Sequence, residues 1–140
     1  METSKVDMFL LNKGNMFPNA QLPLIREMLT KANENVWVNL NVAFFYNPTT
    51  ALIMSLAVGS YGIDRFYLGQ PLLGFGKLLL TLMLIAWVIV IEITETENLA
   101  FIIGGSFVIF ILSFWYLTDI FLVPKIAREQ NLKLLLTILN

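Results

Sequence analysis

The sequence predicts an all-α integral membrane protein, either a helical hairpin or a three-helix membrane bundle, with short amphipathic soluble helices at both ends. The first observation is composition: 57% of the 140 residues are hydrophobic and 14% are charged, whereas soluble domains are about one quarter charged. The second is that the apolar residues form three blocks. The third is that segments outside the blocks carry apolar residues at helical spacing.

The length of each apolar block decides whether it can cross a membrane, because a hydrocarbon core of about 30 Å needs roughly 20 helical residues. Block two, residues 72–91, and block three, residues 99–123, are long enough. Block one, residues 50–63, reaches only about 21 Å as a helix. It is therefore short for a span.

The ends of the blocks carry helix-boundary residues. Asn47 suits an N-cap, because its side chain can accept a free backbone amide, and Pro48 suits the first helical position. Pro124 is expected to end block three. The predicted organisation is an N-terminal soluble or interfacial helical extension, a membrane domain and a C-terminal amphipathic helix, at residues 1–47, 48–123 (helices about 48–63, 72–91 and 99–123) and 124–140.

Amphipathic segments lie on both sides of the membrane domain. In residues 21–35 the apolar positions follow helical spacing and Glu27 and Lys31 form an i,i+4 pair, so a helix is predicted. Residues 36–46 fit both a strand and a helix, and the helix is preferred. In the tail, four leucines share one face of a helix, which favours a position at the membrane interface or against the N-terminal helices: Leu132, Leu135, Leu136 and Leu139.

The residue types present exclude several classes of function. The net charge is −1 and nine Lys and Arg are scattered along the chain, so no basic surface for nucleic acid is expected. The chain has no Cys and no His, which removes disulfides, thiolate chemistry, the commonest general base and the commonest metal ligand. We therefore expect no enzyme, no catalytic residue, no metal and no cofactor.

Four charged residues lie close to the ends of the apolar blocks: Asp64, Arg65, Lys77 and Asp119. A charge at the bilayer centre costs at least ~2.5 kcal/mol on insertion scales. Because Lys77 is near a helix end, its side chain is expected to snorkel to the inner headgroups rather than to line a conduction path. Asp119 is too short to snorkel, so we expect an ion pair with Arg65 or with Lys77.

The distribution of Lys and Arg predicts the orientation, because these residues favour the cytoplasmic side of a span. The tail and the first connection are basic, whereas residues 92–98 carry only acids: Lys125, Arg128, Lys133 and Arg65 against Glu92, Glu95 and Glu97. A multi-pass protein of the cell inner membrane is predicted, with its C-terminus and the Asp64-Arg65 turn inside and the acidic connection outside.

The side of the N-terminus depends on block one. If block one spans, the first 47 residues lie outside. This is unfavourable because they contain Lys5, Lys13, Arg26 and Lys31 and because no signal peptide is expected there to export them. If block one dips into the membrane and returns, the N-terminus lies inside. The shortness of the block favours the re-entrant alternative, and both alternatives are kept.

Small residues recur four apart in block one, at Ala51, Ser55 and Gly59, and are adjacent in block three, at Gly104 and Gly105. Small residues let membrane helices approach closely. They predict either a seam for an oligomer or pore, or ordinary helix packing within one chain. Packing within the chain is the preferred alternative.

One long motif resembles the TM2 domain family and is similar to bacterial membrane proteins that contain this domain. The residues that carry the resemblance run from block one to the end of block three: Gly59, Gly62, Asp64, Arg65, Phe66, Tyr67, Leu68, Gly69, Gly74, Lys77, Trp115, Asp119 and Pro124. The resemblance covers about residues 48–131. It implies a membrane-embedded protein and, because the family has no settled common activity, little about function.

The sequence departs from the family pattern between the Lys77 and Trp115 motifs. Family members have a compact segment there and two membrane helices, whereas this chain has a long apolar run and an acidic connection. Two complete spans are therefore expected within this stretch alone.

The expected function is that of a small inner-membrane structural or interaction protein of unknown specific role. A turn formed by Asp64, Arg65, Phe66, Tyr67 and Gly69 is expected to organise the helices at the cytoplasmic interface, with the aromatic rings at the headgroups. Expected partners are membrane lipids and an unknown protein at the cytoplasmic face, with a second copy of the chain as an alternative, but not nucleic acid. The alternative is a homo-oligomeric channel.

Overall fold

The computed structural model describes residues 2–94 and 99–139, and every regular element in this part of the chain is helical. This confirms the all-helical prediction. Seven α-helices follow in order: α1 Thr3–Lys13, α2 Leu22–Lys31, α3 Val36–Val42, α4 Pro48–Val58, α5 Ile63–Tyr67, α6 Pro71–Thr94 and α7 Leu99–Leu139. The chain divides into two compact units. The terminal unit is the chain up to Thr50 together with the segment from Pro124 onward, and the central unit is Ala51–Val123.

The terminal unit has an apolar core of the kind found in water-soluble proteins. Its buried residues come from α1, α2, α3 and the last part of α7: Val6, Phe9, Phe17, Ile25, Leu29, Leu40, Phe45 and Leu135. The rings of Phe9, Phe17 and Phe45 contact one another, with centroids 5.3 to 6.1 Å apart. These aromatic contacts join the N-terminal helices to the segment that precedes α4.

Asn131 connects the C-terminal helix to the N-terminal part of the terminal unit. Its side-chain amide is fully buried and donates to the carbonyls of Met16 (2.8 Å) and Tyr46 (2.7 Å). Its side-chain oxygen accepts the backbone N–H of Tyr46 at 2.7 Å. Both ends of the chain are therefore held in one unit by a satisfied buried amide.

Ion pairs lie on the surface of the terminal unit. Lys5 bonds Glu34 at 2.8 Å and Lys31 bonds Glu27 at 2.6 Å. The hydrogen bond from Lys5 holds the pKa of Glu34 below its ordinary value, and the hydrogen bond from Lys31 does the same to the pKa of Glu27. This unit thus places charge outside and apolar side chains inside.

Three local predictions for the chain up to the start of α4 can be compared with the structure. The region predicted as a helix at 21–35 forms α2, with Pro23 in its first turn, where a missing N–H costs nothing. Residues 36–42 form α3, so the preferred helix is confirmed there and the strand is wrong. α4 then starts at Pro48, and the Asn47 side chain accepts the N–H of Thr49 at 2.9 Å, which is the cap that Asn47 predicts.

Two of the described helices are long and apolar enough to cross a membrane, judged by length and composition, and the second continues from the central unit into the terminal unit. They are α6, with 24 residues, and α7, with 41. In the most apolar stretch of each, only 17% and 6% of residues are buried. A core helix of a water-soluble protein would be largely buried, so this exposed apolar surface fits a membrane protein.

Block one is not one helix over 48–63 as expected. α4 ends at Val58, a 3₁₀ turn occupies Gly59–Tyr61, and α5 follows as a separate short helix. Gly62, with φ +76°, ends the 3₁₀ turn and immediately precedes α5; this left-handed conformation interrupts helical structure. α6 continues to Thr94, so Glu92 is helical and not part of a turn; Glu95 and Glu97 lie outside the described residues.

The expectation that Pro124 ends the third apolar helix is wrong, because α7 is continuous from Leu99 to Leu139 with Pro124 inside it. Proline removes one backbone N–H but its fixed φ is compatible with a helix. Buried residues continue on both sides of Pro124 at intervals of four: Asp119, Val123, Ala127, Asn131 and Leu135. Packing of this stripe outweighs the loss of one hydrogen bond.

Candidate functional site

The turn between α4 and α6 is shaped by two glycines with positive φ, Gly62 at +76° and Gly69 at +68°. A Cβ atom on Gly62 would lie 2.8 Å from the Cα of Gly74, so the two backbones touch where only glycine fits. Between these glycines the short helix α5 carries Asp64 and Arg65 inward. Both side chains are buried, with Asp64 0% and Arg65 4% exposed.

The structure brings four charged side chains together in the central unit, and we call Asp64, Arg65, Lys77 and Asp119 the charge cluster. Lys77 is 2% and Asp119 1% exposed. Arg65 forms a two-point contact with Asp119: its Nε is 3.3 Å from one carboxylate oxygen, and its Nη2 bonds the other. Fork-to-fork contacts of this kind are the strongest form of an arginine–carboxylate pair.

Lys77 lies between the two carboxylates of the charge cluster. Its Nζ is 3.0 and 3.3 Å from the carboxylate oxygens of Asp64 and also bonds Asp119. It donates in addition to the carbonyl of Gly59 at 3.2 Å. The expectation that Lys77 snorkels to the headgroups is therefore wrong, because two acids within reach satisfy the ammonium group inside the unit.

The charge cluster is neutral, with two positive and two negative groups. Removing an ion from water costs several kcal/mol unless partners and hydrogen bonds compensate, and here each charge has them. Arg65 gains a further partner in Gln70, whose side-chain oxygen accepts at 2.8 Å. The cluster joins α5, α6 and α7 at one level, and its groups are bonded to one another rather than presented to a substrate.

The small residues of block one are used inside the central unit. Ala51, Ser55 and Gly59 are all buried. A Cβ atom on Gly59 would be 3.7 Å from the ring of Tyr116, and the Tyr116 hydroxyl donates to the carbonyl of Leu56 at 3.0 Å. This face is therefore covered by packing within the chain.

The glycine pair of α7 has the same use at the other end of the unit. A Cβ on Gly104 or Gly105 would lie 3.0 or 2.9 Å from the ring of Trp87. The Trp87 indole donates to the carbonyl of Phe101 at 3.1 Å. Because these two glycines have no side chains, the indole of Trp87 lies directly against the backbone of α7.

Two aromatic residues of the turn have different surroundings from each other. The ring of Phe66 covers Gly74 and meets Phe75 edge-on, with centroids 5.0 Å apart, while remaining 36% exposed. Tyr67 is half-buried. Phe66 therefore serves packing of the turn in addition to any position it takes at a membrane interface.

Three contacts of this site were not anticipated from the sequence. They are the pairing of Asp64 with Lys77, the bond from Arg65 to Gln70, and the bond from Thr81 to the carbonyl of Ser60 at 2.6 Å. The sequence did contain a signal for the pair of Asp64 and Lys77. Equal numbers of acids and bases near one membrane surface predict that all of these charges pair in one neutral cluster, and not that only two of them do.

The model of the TM2 domain family matches residues 45–93. This stretch of the chain is therefore similar to a TM2 domain. The matched range includes the glycine-bounded turn and three members of the charge cluster, and it ends before Asp119, so the wider resemblance to about residue 131 stays a prediction. No curated protein and no solved structure shows significant similarity to the chain. The TM2 domain and the two long apolar helices together fit a membrane protein.

Proposed function

We propose that this TM2-domain protein is a small structural or interaction protein of the inner membrane, with two complete spans and a re-entrant first helix. The observation that carries the proposal is the terminal unit, which contains both ends of the chain and is closed by Asn131. A unit folded from both ends must lie on one side of the membrane. The chain between the two ends therefore crosses the membrane an even number of times.

Two crossings are supplied by α6 and α7, so α4 does not cross. Its 11 residues cover about 16 Å, roughly half of the hydrocarbon thickness. The chain turns back at Gly59–Tyr61, where Gly59 and Ser60 contact Lys77 and Thr81 of α6. The re-entrant alternative for block one is thus supported by both its length and its turning point.

The basic tail and Arg65 favour the cytoplasm for the terminal unit and for the turn. The role proposed for the charge cluster is to hold the re-entrant segment against the two spans. Lipid gives little hydrophobic drive for helix association, whereas three buried ion pairs fix one arrangement of the helices. The proposal includes no catalytic role and no cofactor.

The proposed partners are membrane lipids and a protein at the cytoplasmic face, and not nucleic acid. Apolar side chains on the surface of the terminal unit support an interaction there: Leu11 is 87%, Val42 81% and Phe44 68% exposed. A homo-oligomer would have to use a surface other than Ala51, Ser55 and Gly59. The channel alternative loses support for the same reason. Bilayers reconstituted with the protein are expected to show no ion conductance.

The natural absence of Cys makes the topology directly testable. Single cysteines at Ser4, Thr96 and Asn140 are labelled from either side of oriented vesicles with a membrane-impermeant maleimide. We expect Ser4→Cys and Asn140→Cys to react from the cytoplasmic side and Thr96→Cys from the other. Labelling of Ser4→Cys and Asn140→Cys from opposite faces would overturn the two-span topology.

The interaction role is tested by a photo-crosslinking residue placed at Val42 in living cells, followed by identification of the adduct. The matched control places the same residue at Ile103, which is exposed on α7. The proposal expects a discrete protein adduct at Val42 and lipid adducts alone at Ile103. Identical adduct patterns at both positions would argue against a partner surface on the terminal unit.

A further inference from the structure

A cavity of about 610 Å³ lies within the central unit, between the end of α4, the first half of α6 and α7. Its size is typical of cavities that hold a ligand. Residues from all three helices line it, including Leu56, Leu84 and Leu112. The charge cluster does not fill this space, since only Lys77 among its members is part of the wall.

The cavity lies along the middle part of α6 and of the apolar part of α7. On α6 its wall runs from Lys77 to Leu84, which lie about 9 and 20 Å along a helix that begins at Pro71. On α7 the wall runs from Ile109 to Leu117, a distance of about 12 Å. It therefore extends from the level of the charge cluster to about the midpoint of the membrane-crossing helices.

The cavity opens toward the lipid-facing surface of the unit. Three of its lining residues are also exposed on the outside, Leu56 at 50%, Ile109 at 50% and Leu117 at 58%. Apolar cavities stay free of water and accept apolar molecules. At this depth the apolar molecules present in quantity are the acyl chains of the surrounding lipid.

The wall is polar at one end and apolar at the other. Near the charge cluster it includes Lys77, Ser60 and Thr81, and further along the helices it is mainly apolar, with Leu84, Ile109 and Leu112 beside the single hydroxyl of Ser113. A lipid of the same leaflet has this polarity, with its headgroup at the membrane surface and its chain directed inward.

We propose that a phospholipid from the leaflet next to the charge cluster inserts one acyl chain into this cavity as a specifically bound ligand. The inference rests on the proposed membrane embedding. Because the ammonium of Lys77 is already paired with Asp64 and Asp119, the site has no unpaired charge for the headgroup. Zwitterionic and anionic phospholipids are therefore expected to bind within about threefold of each other.

Trp115 provides the measurement, because its ring is part of the cavity wall. Phosphatidylcholine brominated on its acyl chains is titrated into the protein in detergent micelles, and tryptophan fluorescence is recorded. A bound chain brings bromine next to Trp115, so we expect quenching that saturates at about one lipid per protein. Trp115→Phe removes this saturable component, while Trp37 and Trp87 contribute only a gradual loss.

Substitutions that fill the cavity test its location. Ser113→Phe and Leu84→Phe place a ring in it from two different helices and should raise the half-saturating lipid concentration at least about tenfold. Ser106→Phe is the matched control, because it makes the same change on α7 at an exposed position outside the cavity. Two filling variants are used in case one of them does not fold. Circular dichroism, which measures helical content, checks the folding of each variant.

Several results would overturn the lipid site. Quenching without saturation, or equal lipid affinity in Ser113→Phe, Leu84→Phe and Ser106→Phe, would show that no chain binds in the cavity. Saturable quenching by brominated fatty acid but not by brominated phospholipid would show that the ligand is not a phospholipid. Failure of the topology is seen separately, in the cysteine labelling from the two sides of the membrane.

Discussion

The two units of this protein bury opposite kinds of residue. The terminal unit buries Phe9, Phe17 and Phe45 and keeps ion pairs such as Lys5 with Glu34 on its surface. The central unit buries the charge cluster and exposes large apolar side chains, among them Phe110 at 67% and Phe121 at 79%. This inversion supports the proposal that the terminal unit is surrounded by water and the central unit by lipid. In water, burial of apolar area stabilises a fold, whereas in lipid, burial of charged and polar groups stabilises it.

The largest effect is expected where the inversion is most pronounced, at Asp119. Asp119→Ala leaves the buried cations of Arg65 and Lys77 with a single carboxylate, that of Asp64, and should cost about 5 kcal/mol of unfolding free energy. The measurement is denaturant unfolding in detergent micelles. Glu129→Ala is the control, since its contact with Lys125 is exposed and 3.9 Å long; an equal loss in both variants would contradict the buried role.

A double substitution also tests the pairing of charges within the charge cluster. Arg65→Met with Asp119→Leu removes one cation and one anion and leaves the pair of Asp64 and Lys77, so most of the loss should be recovered. Exchange of the charges, Arg65→Asp with Asp119→Arg, should not recover it, because the new Arg side chain would face Lys77. Recovery by exchange would show that Lys77 does not share Asp119.

Phenylalanines in the two units should respond differently to the same substitution. Phe17→Ala opens a cavity in a fully buried core position and should cost about 4 kcal/mol. Phe121→Ala changes only an exposed position in the central unit and should shift the unfolding free energy by less than about 0.5 kcal/mol. Similar losses at the two positions would break the distinction between a water-type core and a lipid-facing surface.

The glycines of the turn separate backbone constraint from packing. Gly62→Ala forces a Cβ into a positive-φ residue and against the backbone of Gly74, and should cost about 3 kcal/mol. Gly76→Ala is the matched control, because its Cβ would meet only the Trp115 ring at 3.9 Å. Its thermal unfolding midpoint should stay the same or rise slightly, since alanine favours a helix.

The smallest effect is expected from the surface charges of the terminal unit. The pKa of Glu34 is lowered by the hydrogen bond from Lys5, so its contribution to stability is present above the ordinary pKa of 4.5 and is lost as pH falls through the lowered value. The difference in unfolding midpoint between wild type and Glu34→Gln should therefore be small at pH 7 and vanish in acid. Lys5→Met should show the same pH dependence of the unfolding midpoint. A difference from wild type that grows as the pH falls would contradict a stabilising bond between Lys5 and Glu34.

Local features of the fold were predictable because local sequence causes them. Helical spacing predicted α2, and the Asn47-Pro48 pair predicted the start of α4. The length of the apolar blocks predicted the helices that became α6 and α7. The continuity of α7 through Pro124 was not predictable, because a proline breaks or bends a helix according to whether residues on both sides of it find packing partners, and Asn131 and Leu135 find them in distant parts of the chain.

The sequence by itself determined that four charges lie close to one end of the apolar blocks and that Asp119 needs a cation. Only the tertiary structure decided that Arg65 and Lys77 both bond Asp119, and that Lys77 also bonds Asp64 instead of reaching the headgroups. The physical reason is that burial of a long charged side chain depends on which acids lie within its reach. That distance is set by the turn at Gly62, where α5 is brought against α6, and not by the spacing of residues along the chain.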